Sequence, residues 1–457
     1  MRTLSEKITK VQAFVFGLNF LFYSLSIPLD YEILSLVVAF FTIATITITV
    51  PFMKGLSLYL SVLFIVCGVV MQVWVHSDFT QFILSFSDLS SIAAFIGIIP
   101  LLAVPITLIR TRENRRSVET LPQLTGRKLY SKGSTMSFSL ASIMNMGALP
   151  LTWSYLNTSY ELKKGEEVTQ TLSTSISRGF ALAMIWSPIG AGVAIVAELT
   201  KSSVITLIPF TLMAALFGLL LDRILHKATS RKAELVQEGE VETSKLPIKS
   251  LAIPLLLFMI LTILLDLILP FGMLYILTVA TIPFTYLWVF IIRELQSFNQ
   301  SVKRHFKQVI PSMYSQIGIL LTAGFFVESL QHETYIQPVY QFFTMVKDQV
   351  GSGPLLIIGM ASLIVLSIVG VHQFVSITIV ALVINPIDLA ISPVIYGVGM
   401  LTALSIGIMI SPFNGTTAMM SSLTKKETFT IAKWNAKFTS ILFAVISTFL
   451  LVILAVS

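Results

Sequence analysis

The sequence predicts an all-α integral membrane protein of about eleven transmembrane helices plus two re-entrant hairpins, arranged as two inverted repeats. Three observations carry this expectation: apolar windows of spanning length, a one-sided distribution of Lys and Arg, and two Pro-broken segments, SPIGAG at 187–192 and SPFNGT at 411–416.

The 457 residues are 55% apolar and 12% charged, with a mean hydropathy of +0.87. An ordinary soluble enzyme needs more polar surface than that. Apolar windows fall near 11–28, 33–52, 56–75, 90–109, 134–157, 172–197, 203–221, 250–269, 272–292, 309–329, 354–386, 393–419 and 436–456. A helix of roughly 20 residues crosses about 30 Å of hydrocarbon. The first window follows MRTLSEKITK and lacks the small-residue exit of a cleaved signal, so it reads as a membrane helix. The single cysteine, Cys67, excludes a disulfide framework and cannot alone form a thiolate metal site. The net charge of +7 does not point to nucleic acid, because the basic residues sit in short loops with no aromatic-interleaved patch.

If every window crossed once, the basic loops would fall on both faces. With 134–157 and 354–386 as re-entrant hairpins, eleven crossings remain, and 28 of the 30 Lys and Arg share one face; only Lys201 and Lys347 lie opposite. The positive-inside rule makes that face cytoplasmic in the cell membrane, with the N-terminus inside and the C-terminus outside. The first hairpin then enters from the cytoplasm and the second from outside, as an inverted repeat requires. The expected divisions are an N-terminal helix to residue 30, a first repeat over 31–221, a polar cytoplasmic linker over 222–249 and a second repeat over 250–457.

At an offset of 224 residues, SPIGAGVAIVAELTK lies over SPFNGTTAMMSSLTK with six identities in fifteen. Each hairpin precedes its SP segment at matched spacing: Gly147 in NMGALP is 40 residues before Ser187, and Gly370 in VGVHQF is 41 before Ser411. Proline removes a backbone donor, and Gly190, Gly192 and Gly415 loosen the helix further. Open backbone at membrane depth is tolerated only where it lines a cavity or is re-bonded by protein. A helix broken there offers amides to an anion and carbonyls to Na⁺ or a proton donor. Candidate substrate or ion ligands are therefore Ser187, Pro188, Gly190 and Gly192 in the first segment, and Ser411, Pro412, Asn414, Gly415, Thr416 and Thr417 in the second. A Na⁺ site would draw on Ser187, Gly190, Ser411 and Asn414. The alternative is a Pro kink with Ser and Thr bonded back onto the helix.

At the hairpins, Asn145, Gly147, Gly370, His372 and Ser376 join the candidates. His372 is the one ionisable residue placed at the centre of a membrane window; it reads as a substrate contact, a proton carrier, or a neutral turn histidine. Asn145 is also a good turn former. Asp30, Glu32, Glu198, Asp266, Glu328 and Asp388 fall near span ends, and no deep carboxylate is visible. No H-x-x-x-H, C-x-x-C, G-x-S-x-G or Walker pattern offers a seat for catalysis.

This layout resembles the ion transporter superfamily, specifically the branch of dicarboxylate/sodium symporters and the large membrane subunits of TRAP transporters. The resemblance implies an elevator-type carrier whose hairpin tips and unwound helices hold substrate and coupling ions. The symporters carry a Ser-Asn-Thr triplet at each tip where this chain has NMGALP and VGVHQF, so dicarboxylate specificity does not follow. The expectation is a secondary transporter of a small organic anion coupled to Na⁺ or H⁺, without other cofactor, with the lipid bilayer and a second copy in a homodimer as partners. A cation/proton antiporter and a membrane-embedded transferase acting on a lipid-linked substrate are the alternatives.

Overall fold

A computed structural model describes residues 2–112, 116–119, 126–159, 165–229, 241–244, 248–385 and 390–456. The first half runs through α1 (Arg2–Leu29), α2 (Glu32–Thr49), α3 (Leu56–Trp74), α4 (Phe79–Leu84), α5 (Ser90–Ile98) and α6 (Val104–Arg112). The first hairpin follows as α7 (Gly126–Met144) and α8 (Ala148–Ser159), then the broken helix α9 (Glu166–Ala183) and α10 (Ala191–Leu199), then α11 (Val204–Thr229). The second half holds α12 (Ile248–Ile268), α13 (Met273–Ile291), α14 (Leu295–Arg304), α15 (Tyr314–Leu330) and α16 (Glu333–Val350). It continues through the second hairpin, α17 (Ser352–Val369) and α18 (Gln373–Val383), the broken helix α19 (Pro393–Ile410) and α20 (Gly415–Thr424), and α21 (Thr428–Val456).

Among the described residues, nine helices are long and apolar enough to cross a membrane, or ten if the pair Leu295–Ser312 and Tyr314–Leu330, bent by 65°, is one span. The protein is a multi-pass α-helical membrane protein. Ser352–Val369 is the long first arm of a hairpin; the broken α9–α10 and the shorter apolar stretch Ile253–Ile268 fall on two of the remaining expected crossings. Large apolar side chains stand open to the surroundings, among them Leu63, Val66 and Val70 on α3, each more than half exposed. Lipid is the solvent that suits them.

Helices at Phe79–Leu84, Leu295–Arg304 and Glu333–Val350 fall outside the expected windows, and two further features depart from the expectation. The segments 110–132 and 222–249 are not wholly loop: β1 (Arg116–Glu119) pairs antiparallel with β2 (Val241–Ser244), Arg116 opposite Ser244. Both strands contain β-branched residues, which suit a pleated ribbon. The second is that α11 runs on to Thr229, so Asp222, expected at the start of the linker, lies inside a helix and is fully buried.

The chain divides into two compact units that cut across the sequence halves. The first comprises Met1–Leu108, Leu264–Asp348 and Phe374–Val383; the second comprises Ile109–Ile263, Gln349–Gln373 and Ile384–Ser457. In the first, Phe86 and Phe325 stack at 3.9 Å in a core with Phe16, Leu101 and Ile317. Two buried polar side chains there are bonded across the unit: Asn19 donates to Thr42 Oγ1 at 3.1 Å, and His305 Nε2 meets the Gly97 carbonyl at 2.7 Å.

In the second unit α7 and α9 approach closely because Gly179 has no side chain. A Cβ there would stand 2.3 Å from the Ser134 carbonyl oxygen and 3.1 Å from the Phe138 nitrogen, both backbone atoms that cannot rotate away. Gly179→Val is therefore expected to destabilise the protein by about 1–3 kcal/mol, as overpacking does. Thermal denaturation of the purified protein in detergent measures this, and an unchanged midpoint would refute the close packing.

Candidate functional site

The first helix stops where its backbone bonding runs out. α9 ends at Ala183, and the turn beyond is closed by Ser187 N donating to the Ala183 carbonyl at 3.0 Å. Pro188 has no amide to continue the ladder. Gly190 then takes an extended conformation (φ −80°, ψ 129°) as the N-cap of α10, without a side chain to cap it.

The second break follows the same plan. α19 ends at Ile410, Pro412 interrupts it, and Asn414 is the N-cap of α20 at φ −80° and ψ 149°. Gly190 and Asn414 are separated by the 224-residue repeat offset. Asn414 adds what Gly190 lacks: its Oδ1 accepts from Thr416 N at 2.7 Å.

Each break is tied to the hairpin before it. Ser187 Oγ donates to the Ser142 carbonyl at 2.7 Å, one of the last carbonyls of α7, which have no partner within the helix. Asn414 Nδ2 donates to Gln373 Oε1 at 2.9 Å, beside the second tip. Thr417 Oγ1 donates to the Ser411 carbonyl at 2.8 Å and the Asn414 carbonyl at 2.9 Å. The hydroxyl protons of Ser187 and Thr417 are thus spent on the protein, while their oxygen lone pairs still suit a cation or another donor.

The two broken helices run antiparallel. Ser405 Oγ of α19 donates to the Ala181 carbonyl of α9 at 2.7 Å. Farther along, a Cβ on Gly192 would meet Leu401 and Leu404, and one on Gly397 would meet Val196. As the numbering rises in one helix it falls in the other. Ser405 and Ala181 are also 224 residues apart, so equivalent positions of the two halves touch, as happens at the axis of an inverted repeat.

Several sequence candidates take different parts from those expected. Gly192 lies inside α10 and makes room for Leu401 of α19, 3.2 Å from where its Cβ would be, so it packs helices and does not open the backbone. The spacing argument pairs Gly147 with Gly370, but the left-handed residue that ends each first arm is Asn145 (φ 50°) in one hairpin and Gly370 (φ 103°) in the other. Gly147 lies in the short turn after it. Asn tolerates this conformation because its short polar side chain bonds locally. His372 lies at the second tip directly before Gln373; Ser376 is fully buried in the first turn of α18. Pro412, Thr416 and Thr417 are buried at the second break, and Gly415 opens α20 half-buried.

Sequence reading missed Ser142 and Ser405, which join the first break to its hairpin and the two broken helices to each other. It also missed Arg178, Tyr130, Asp222 and Asn435, a buried network in the same unit. Gln373, the partner of Asn414, lies in the segment 370–376 that the resemblance places around the site. No group of three or more His, Cys, Asp or Glu among the described residues is placed to hold a metal.

Fold and breaks together define an α-helical membrane protein built on paired broken helices and hairpins. No protein-family model matches the chain, and a search of curated proteins returned no match. The fold is shared with the YdaH transporter of Alcanivorax borkumensis, whose crystal structure matches 86% of this chain and 96% of its own at a TM-score of 0.56 and 12% identity.

Proposed function

We propose that the protein is a secondary active transporter of the ion transporter superfamily type, an elevator carrier that couples a small organic anion to Na⁺ or H⁺. The observation that carries this reading is the pair of equivalent breaks, Met184–Gly190 and Ser411–Asn414, set antiparallel with repeat mates in contact. A mere Pro kink does not need a matching partner or a tie to a hairpin.

The chemistry divides between the breaks. Helix N-termini carry partial positive charge and unpaired amides. At α20 the Asn414 side chain takes up one of these amides, while α10 has no side-chain cap, so α10 is the seat for the anion. The carbonyls that end α19, with the Ser187 and Ser411 hydroxyl oxygens, suit the coupling cation. YdaH, which shares the fold, is itself a transporter. Asp222, the fully buried carboxylate of α11, is not free for an antiporter's exchange, because Tyr130 and Arg178 occupy its oxygens. By loop charge, the N-terminus faces the cytoplasm and the C-terminus the outside.

A thermal-shift screen of the purified protein against organic anions, with and without Na⁺ and across pH, tests this reading. A ligand at 100 times its Kd is expected to stabilise by about 2.7 kcal/mol. Stabilisation by neither anion, sodium nor pH change would refute it.

A further inference from the structure

Below the first break lies a buried network that the proposed function does not use. Arg178, six residues before the turn at Met184, has a side chain only 11% exposed, and its partner Asp222 on α11 has none exposed. Arg178 Nη1 donates to Asp222 Oδ1 at 3.0 Å and to the Tyr130 hydroxyl at 3.1 Å; that hydroxyl donates in turn to Asp222 at 2.7 Å. Arg178 Nη2 donates to the Trp434 carbonyl at 2.9 Å, and the guanidinium lies 4.9 Å from the Phe438 ring centre. One planar cation therefore ties together the foot of the first hairpin, α9, α11 and α21.

Its remaining bond fixes an amide. Arg178 Nε donates to Asn435 Oδ1 at 3.0 Å. Arginine has donors only, so the Asn435 oxygen must face it and the Asn435 Nδ2 must face away. That Nδ2, with two hydrogens, lies 3.1 Å from the Ile431 carbonyl, 3.3 Å from Ser177 Oγ and 3.4 Å from the Met409 carbonyl, so the Met409 carbonyl shares one of them. Met409 lies in the last turn of α19, two residues before Ser411, where the helix has run out of its own donors.

We infer that Asn435 is a positioning residue for the coupling cation at the second break: held by Arg178, it pins the Met409 carbonyl and with it the carbonyl end of α19. The inference rests on the carrier reading above. Arg178 lies more than a turn before the end of α9 and Met409 in the last turn of α19, so the same chain of bonds links the two broken helices near their breaks. Lysine cannot replace the arginine, because its point charge lacks the fork that reaches Asp222, Trp434 and Asn435 together.

The test uses the purified full chain, following thermal midpoint and tryptophan fluorescence while sodium chloride is titrated against choline chloride, and repeating the series across pH. Asn435→Asp keeps the acceptor for Arg178 but turns the donor facing Met409 into an acceptor. It is expected to weaken the apparent sodium affinity by about tenfold or more, the usual cost of losing an outer support of an ion site. If that variant does not fold, Asn435→Ser, too short to span Arg178 and Met409, carries the same expectation. Thr439→Val is the control, since among the described residues the Thr439 hydroxyl bonds to carbonyls of its own helix, at Asn435 and Ala436; its affinity is expected to match the wild type. Should the wild type answer to pH and not to sodium, the same comparison is made on the pH midpoint. Wild-type affinity in the Asn435 variants, or equal weakening in Thr439→Val, overturns the inference while leaving the carrier reading intact. A wild-type protein that answers to neither ion removes the carrier reading, and this inference with it.

Discussion

Asp222→Ala is expected to lower stability by about 3–5 kcal/mol, because it strands the buried Arg178 without its counter-charge. Asp222 is fully buried and accepts from both Tyr130 and Arg178, so water does not replace what the substitution removes. The guanidinium keeps bonds to Asn435 and the Trp434 carbonyl, which hold it in place but do not neutralise it. The paired replacement Arg178→Met with Asp222→Leu is expected to recover much of the loss, since it removes both charges and fills the volume with apolar atoms. Thermal denaturation followed by tryptophan fluorescence compares the three proteins. A single variant as stable as the wild type would mean that the pair is hydrated in solution.

The second large effect is expected at the second break. Asn414→Ala removes the cap on Thr416 N and the bond to Gln373 in one step. Loss of such a cap costs about 1 kcal/mol. Because it also detaches the break from its hairpin, the apparent affinity for sodium or for a stabilising anion is expected to fall by about tenfold, equivalent to about 1.4 kcal/mol. Ser187→Ala loses only the bond to the Ser142 carbonyl and is expected to do less. Ligand-dependent thermal shifts rank the two variants. The opposite order would assign the stronger half of the site to the first break.

What could be read from the sequence was local. Apolar runs of spanning length mark membrane helices wherever lipid is the solvent, and Pro188 and Pro412 mark breaks because a missing amide acts at its own position. The 224-residue offset found from SPIGAG and SPFNGT returns in the matching caps at Gly190 and Asn414. What could not be read was pairing over distance. Arg178 and Asp222 are 44 residues apart, and each stands next to a polar segment, so each reads as a solvated charge until the helices are packed. The contact of Ser405 with Ala181 needs the antiparallel packing of α9 and α19, which no window encodes. Matched spacing singles out Gly147 as the mate of Gly370, yet at the first tip the left-handed conformation belongs to Asn145. The division into two units was hidden for the same reason, since each unit gathers pieces from both halves.

The central claim, that the paired breaks form one site reached alternately from both sides of the membrane, is tested most directly by accessibility. The chain has one cysteine, so Cys67→Ser provides a clean background for Gly415→Cys at the head of α20. Right-side-out and inside-out vesicles are treated with a membrane-impermeant maleimide, with and without sodium. The account predicts labelling in both vesicle orientations, with sodium changing the balance between them. Labelling from one side only, in every ionic condition, would contradict it.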